Sequence, residues 1–192
     1  MLSLLKSYWL KPVCNEVKEI HTIFSTTQSP TKKLTMIALL ATLAVIFQSM
    51  GDFLPGVGYL ISPFATAPIV LCAIFSLSSG LTAYLLVILL LFFIQPGELI
   101  IFPFTTGLLG LGIGSALLYS RIRLFVIVAG ALFLLSGILL LLYIIQFPIL
   151  GPTVSTTWSI VKTAIIAIFS LLYSWLWVEI SRYFLQKISK VI

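Results

Sequence analysis

Few side chains in this sequence can do chemistry, and their placement is the first clue to their use. Gln95, Pro96, Gly97 and Glu98 interrupt the apolar run LLLFFIQPGELIIFPF. Gln48 and Asp52 close one apolar run, Gln146 closes another, and Lys162 lies a few residues inside a further one. Tyr59, Tyr143 and Trp158 fall near the same run ends. Carboxylates, amides and an ammonium can hold a polar solute by charge and hydrogen bonds. Aromatic rings add flat faces for a cyclic ligand. The same inventory is poor for catalysis. His21 is the one histidine, and Cys14 and Cys72 are far apart, so neither a zinc pattern nor a redox pair is present. No Ser-His-Asp set, HExxH motif or cysteine nucleophile with a nearby base is visible. GLLGLGIG is rich in glycine, but no P-loop lysine follows it and no α/β context surrounds it. The expectation is a binding protein rather than an enzyme, with no catalytic residue, metal or cofactor of its own.

The elements that position these residues follow from composition. The 192 residues are 60% hydrophobic and only 8% charged, with a mean hydropathy of +1.21. A soluble domain carries about 25% charged residues, so this chain cannot cover a water-facing surface. It reads as an all-α polytopic membrane protein. Six apolar segments are expected: 34–50, 58–77, 80–94, 99–119, 124–146 and 158–183. A helix needs ~20 residues to cross the hydrocarbon. The first and third are short for that, and Pro63 and Pro68 make the second irregular. Residues 1–33 read as a polar tail, of which the first eleven could lie on a membrane surface, and residues 184–192 as a basic tail. MLSLLKSYWLK lacks the residue order of a cleavable signal peptide.

Charge supplies the orientation. An even number of spans puts both termini on one side. The N-terminal tail carries Lys6, Lys11, Lys18, Lys32 and Lys33; the turn after the fourth span carries Arg121 and Arg123; the C-terminal region carries Arg182, Lys187 and Lys190. Ten of the eleven basic residues therefore share a side, which the positive-inside rule makes cytoplasmic. The net charge of +6 then suits lipid headgroups and not nucleic acid. With this orientation Gln48, Asp52, Tyr59, Gln95, Glu98, Tyr143, Gln146, Trp158 and Lys162 all fall towards the outer face, as a candidate substrate-binding set. Ordinary polar loops and interfacial aromatics give the plainer account of Asp52, Tyr59 and Trp158. Lys162 has three readings: it snorkels to the outer headgroups, pairs with Glu98 or Asp52, or meets an acidic group of a ligand. Glu179 has Arg182 beside it for local pairing. The turn-rich segments GDFLPGVGYLISP and QFPILGPTVSTTW suit a lid, or plain connections. Small residues Ala38, Ala41, Thr42 and Ala44 on the first span, and Gly110 and Gly114 on the fourth, suit close helix contacts, within the bundle or with another membrane subunit.

KKLTMIALLATLAVI, SPFATAPIVLCAIFSLSSGLTAYLLVILLLFF and TTGLLGLGIGSALL together resemble the first four helices of the substrate-binding S components of energy-coupling factor (ECF) vitamin transporters. The likeness covers about Lys32 to Leu118, and more loosely the last two spans. It implies a bacterial cell membrane protein that captures a vitamin or similar small nutrient at the outer face. It implies as partners a transmembrane coupling subunit and two ABC-type ATPase subunits, which would use the ATP. An Ala-x-x-x-Ala pattern on the family's first helix contacts the coupling subunit. Here the alanines are spaced by three, and Ala38 with Thr42 forms the one small-xxx-small pair, so the expected interface is Ala38, Ala41, Thr42 and Ala44. The alternative is a membrane scaffold or regulator of the same six-helix architecture.

Overall fold

The computed structural model describes Trp9 and residues 16–54, 56–120, 122–147 and 158–188. Every regular element among them is helical, and six helices are long and apolar enough to cross a membrane. The chain is a multi-pass α-helical membrane protein. We label the spans α1 (Pro30–Phe53), α2 (Gly58–Phe75), α3 (Leu77–Ile94), α4 (Glu98–Tyr119), α5 (Arg123–Ile144) and α6 (Ile160–Ile188).

Local chemistry sets several boundaries that hydropathy alone misplaces. The first span was expected over 34–50, but α1 begins at Pro30, because the Ser29 side chain accepts a hydrogen bond from the Lys32 amide and Pro30 occupies the first turn. Of the lysines in that turn, Lys33 donates through Nζ to the Ser25 carbonyl at 2.8 Å. At 24 residues α1 is long enough to span without local thinning. The third span likewise starts before the expected Gly80. Ser76 is fully extended and caps α3 by accepting from the Ser79 amide at 3.0 Å. Residue 77 therefore belongs to α3 and not to the end of α2.

Two spans are broken. In α2 a 3₁₀ turn, Ser62–Ala65, replaces regular helix at Pro63. In α4, Glu98–Phe104 and Thr106–Tyr119 are separate helical pieces meeting at Thr105 next to Pro103. Carbonyls released at such a break need partners inside a membrane. Here the Tyr84 hydroxyl donates to the Pro103 carbonyl at 2.9 Å, and Thr105 Oγ1 donates to the Ile101 carbonyl at 2.7 Å. The Phe104 carbonyl packs directly on the Gly137 backbone of α5, a contact that any side chain there would prevent. The break is thus closed by protein groups.

Lipid offers helices no hydrophobic drive to associate, so close packing of small residues must do it. Leu39, Leu85, Phe93 and Ile165 face outward. Gly114 of α4 meets α2 so closely that an added Cβ would fall 2.5 Å from that of Ala73, and one at Gly110 would fall 2.8 Å from Ile69 Cβ. Ser174 of α6 donates to the Ile127 carbonyl of α5 at 2.8 Å. Ser170, Ser174 and Ser181 are buried along one face of α6, a hydroxyl seam that hydropathy reads only as a polar interruption.

Part of the tail expected as polar is docked. A short helix, Glu16–Thr22, runs into a π-turn, Ile23–Thr27, and buries Val17, Ile20 and Phe24 against the bundle. Phe24 stacks on Phe75 with ring centres 4.2 Å apart, and His21 Nδ1 lies 2.8 Å from the Phe75 carbonyl oxygen. This segment covers the α2–α3 turn. Trp9 packs against the same core. The rest of the expected surface segment, most of QFPILGPTVSTTW and residues 189–192 lie outside the described residues.

Candidate functional site

At the end of the bundle opposite the α2–α3 turn, α1 and the α3–α4 turn exchange polar side chains. Gln48 and Asp52 are four residues apart on α1, hence on one face. Gln95 ends α3 and Glu98 opens α4. The two segments pair reciprocally. Gln48 Nε2 donates to Glu98 Oε2 at 2.6 Å, and Gln95 Nε2 donates to Asp52 Oδ2.

The inner pair is buried, with Gln48 1% and Glu98 5% exposed. Thr106, the first residue after the α4 break, donates through Oγ1 to Gln48 Oε1 at 2.7 Å. Hydroxyl, amide and carboxylate therefore form a relay from α4 through α1 and back to the start of α4. The amide orientation is fixed by this network, since Gln48 must accept on one side and donate on the other. Gly51 makes the approach possible: a methyl there would stand 3.1 Å from Glu98 Oε1. Gly97 does the same for the outer pair, at 3.2 Å from Asp52 Oδ2. That outer pair is a rim, with Asp52 exposed and Gln95 half-buried.

The remaining candidates divide. Glu98 is held by Gln48 and Asp52 by Gln95. Lys162 is half-buried near the start of α6. Its neighbour Thr163 shares a 3.3 Å hydrogen bond with the Tyr143 hydroxyl of α5. Gln146 is exposed in a left-handed conformation at φ 58, which costs a non-glycine residue some strain. Tyr59 and Trp158 are 65% and 69% exposed, so their rings face outward and line no packed site. The structure thus joins Gln48, Asp52, Gln95 and Glu98, and separately joins Tyr143 of α5 to Thr163 of α6.

The expected interface residues divide as well. Ala41 and Ala44 are wholly buried within the bundle, so they serve its internal packing and present no docking face. Ala38 is half-buried, and Thr42 is exposed with its hydroxyl turned back to the Ala38 carbonyl at 2.9 Å.

Sequence reasoning missed Thr106 and Gly51. Thr106 sits in TTGLLGLGIG, where the glycines drew attention, and its hydroxyl two residues after Phe104 was the available signal. Ser49, beside Gln48, and Thr66, midway along α2, are also buried, and among the described residues their hydroxyls have no hydrogen-bond partner. Chemically the site is rich in acceptors and holds two carboxylates. Among the described residues no group of three His, Cys, Asp or Glu side chains gathers as for a metal. Cys72 is buried in the core. No family model matches the chain, and no curated protein or solved structure matches it.

Proposed function

We propose that this chain is the substrate-specific subunit of an ATP-driven importer of the ECF type in a bacterial cell membrane. It captures a small nutrient, such as a vitamin, at the outer end of the bundle. The observation that carries the reading is the buried Thr106–Gln48–Glu98 relay with its Asp52–Gln95 rim. A carboxylate kept below the protein surface at the end of a membrane span is costly, and such residues mark binding or transport paths by default. The site's two carboxylates favour a substrate that presents hydrogen-bond donors or a positive charge. The chain itself performs no catalytic step. A transmembrane coupling subunit and two ABC-type ATPase subunits supply the ATP-driven work. Positive-inside bias puts both termini in the cytoplasm and the relay outside.

One observation favours the alternative of a scaffold or regulator that binds other spans. An almost wholly apolar groove of about 230 Å³ opens between α1, α2 and α6, lined by Leu40, Phe47, Phe64, Leu71 and Phe184 among others. The deciding experiment is gentle purification of the tagged protein from its native membrane, with mass spectrometry of everything recovered. An ATPase pair, a coupling membrane protein and a bound small molecule are the expected yield. Reproducible recovery of other membrane proteins with no ATPase would replace the importer reading with the scaffold.

A further inference from the structure

A second polar site lies at the basic end of the bundle, independent of the relay and of the importer reading. Arg123 opens α5 and is 3% exposed. Its Nε lies 3.2 Å from Glu179 Oε1 of α6. Arg182 Nη1 lies 3.3 Å from Glu179 Oε2. One carboxylate thus serves two guanidiniums. Lys187 Nζ sits 5.9 Å above the Tyr183 ring. Glu179, Arg182, Tyr183 and Gln186 recur at the spacing of a single helix face and line a mostly polar hollow of about 230 Å³. Tyr183 is exposed and the Arg182 side chain is 38% exposed, so the hollow opens at the protein surface.

Two guanidiniums share one carboxylate here, and Lys187 adds a further cation over Tyr183, which leaves an excess of positive charge. The end of a span is where phospholipid phosphates lie. A guanidinium fork matches phosphate oxygens, and a tyrosine hydroxyl can add a donor. Glu179 lines the hollow too, but both guanidiniums engage its charge.

We propose that this hollow binds the headgroup phosphate of an anionic phospholipid. Arg182 is the main contact, and Lys187 and Tyr183 flank the phosphate. Arg123 is a positioning residue: through Glu179 it fixes the Arg182 side chain, which gives the site a definite geometry that a loose basic tail would lack.

The test is native mass spectrometry of the full chain released from neutral detergent, titrated with phosphatidylglycerol, phosphatidylcholine or inorganic phosphate. Wild type should retain phosphatidylglycerol at lower concentration than phosphatidylcholine. Arg182→Gln should weaken phosphatidylglycerol retention about five-fold, and Lys187→Gln by less, with phosphatidylcholine unchanged. Arg182→Gln leaves Glu179 its Arg123 partner, so the fold should survive, and a thermal unfolding curve checks this. The proposal is overturned if wild type shows no headgroup preference, or if a variant carrying both Arg182→Gln and Lys187→Gln keeps it. It is overturned equally if inorganic phosphate competes as well as the lipid does, since the hollow would then be a free-anion site.

Discussion

The two ends of this bundle each hold an acidic side chain, and they hold it in opposite ways. Glu179 is shared by Arg123 and Arg182, one from α5 and one from its own helix. Glu98 is held by the amide of Gln48, which is itself held by the hydroxyl of Thr106. The first arrangement answers charge with charge and joins α5 to α6. The second meets the carboxylate with neutral dipoles, the Gln48 amide and behind it the Thr106 hydroxyl. An acid of the first kind is committed to the fold, whereas on the proposed reading one of the second kind serves a ligand.

Substitutions that keep shape and remove charge should separate the two. Glu179→Gln has the largest expected effect, because it removes the carboxylate that faces the buried Arg123 guanidinium. Breaking a buried ion pair costs about 3–5 kcal/mol, and the partial exposure of Glu179 places this case near 3 kcal/mol. Thermal unfolding in detergent should show a clear drop; an unchanged midpoint would mean that the Arg123–Glu179–Arg182 cluster is as dispensable as a surface pair.

Glu98→Gln should behave in the reverse sense. Its amide oxygen can still accept from Gln48, so stability should move by less than about 1 kcal/mol. Affinity for the small molecule recovered with the protein should fall at least about tenfold, the ordinary loss for one charge-assisted hydrogen bond. Isothermal titration with purified variant reads this directly. Retained affinity with lost stability would show that Glu98 is structural after all, and the contrast between the ends would vanish.

Smaller effects sharpen the depth of the site. Thr106→Val removes the donor to Gln48 and should cost about 1 kcal/mol in unfolding, as interhelical hydrogen bonds in membranes do. Asp52→Asn, on the exposed rim, should change stability by no more than about 0.5 kcal/mol. A larger loss at Asp52 than at Thr106 would place the structural weight in the rim and not in the relay.

The six spans were legible because a 20-residue apolar run has few other fates in water. Their ends were less so: Ser29 and Ser76 set boundaries through single capping hydrogen bonds, which a hydropathy window averages away. Gln48, Asp52, Gln95 and Glu98 were expected at one end of the bundle, but the reciprocal pairing depends on which faces of α1 and α4 meet, and sequence order does not carry that. The same gap left Lys162 open between partners, and it is why Arg123 was not matched to Glu179 across 56 positions. The docking of Val17, Ile20 and Phe24 was missed because a seven-residue helix with four charged or imidazole side chains looks like solvent-exposed tail until its apolar stripe is given a partner.

The discontinuity at Thr105 has a mechanical consequence. Glu98 rides on the seven-residue piece Glu98–Phe104, whose backbone ladder is not continuous with Thr106–Tyr119. The longer piece is pinned to α2 at Gly110 and Gly114, where there is no room to slide. On the proposed reading, a guest's pull on the carboxylate would fall first on these two turns of helix, and would reach the frame of the bundle only through the junction that Tyr84 and Gly137 close.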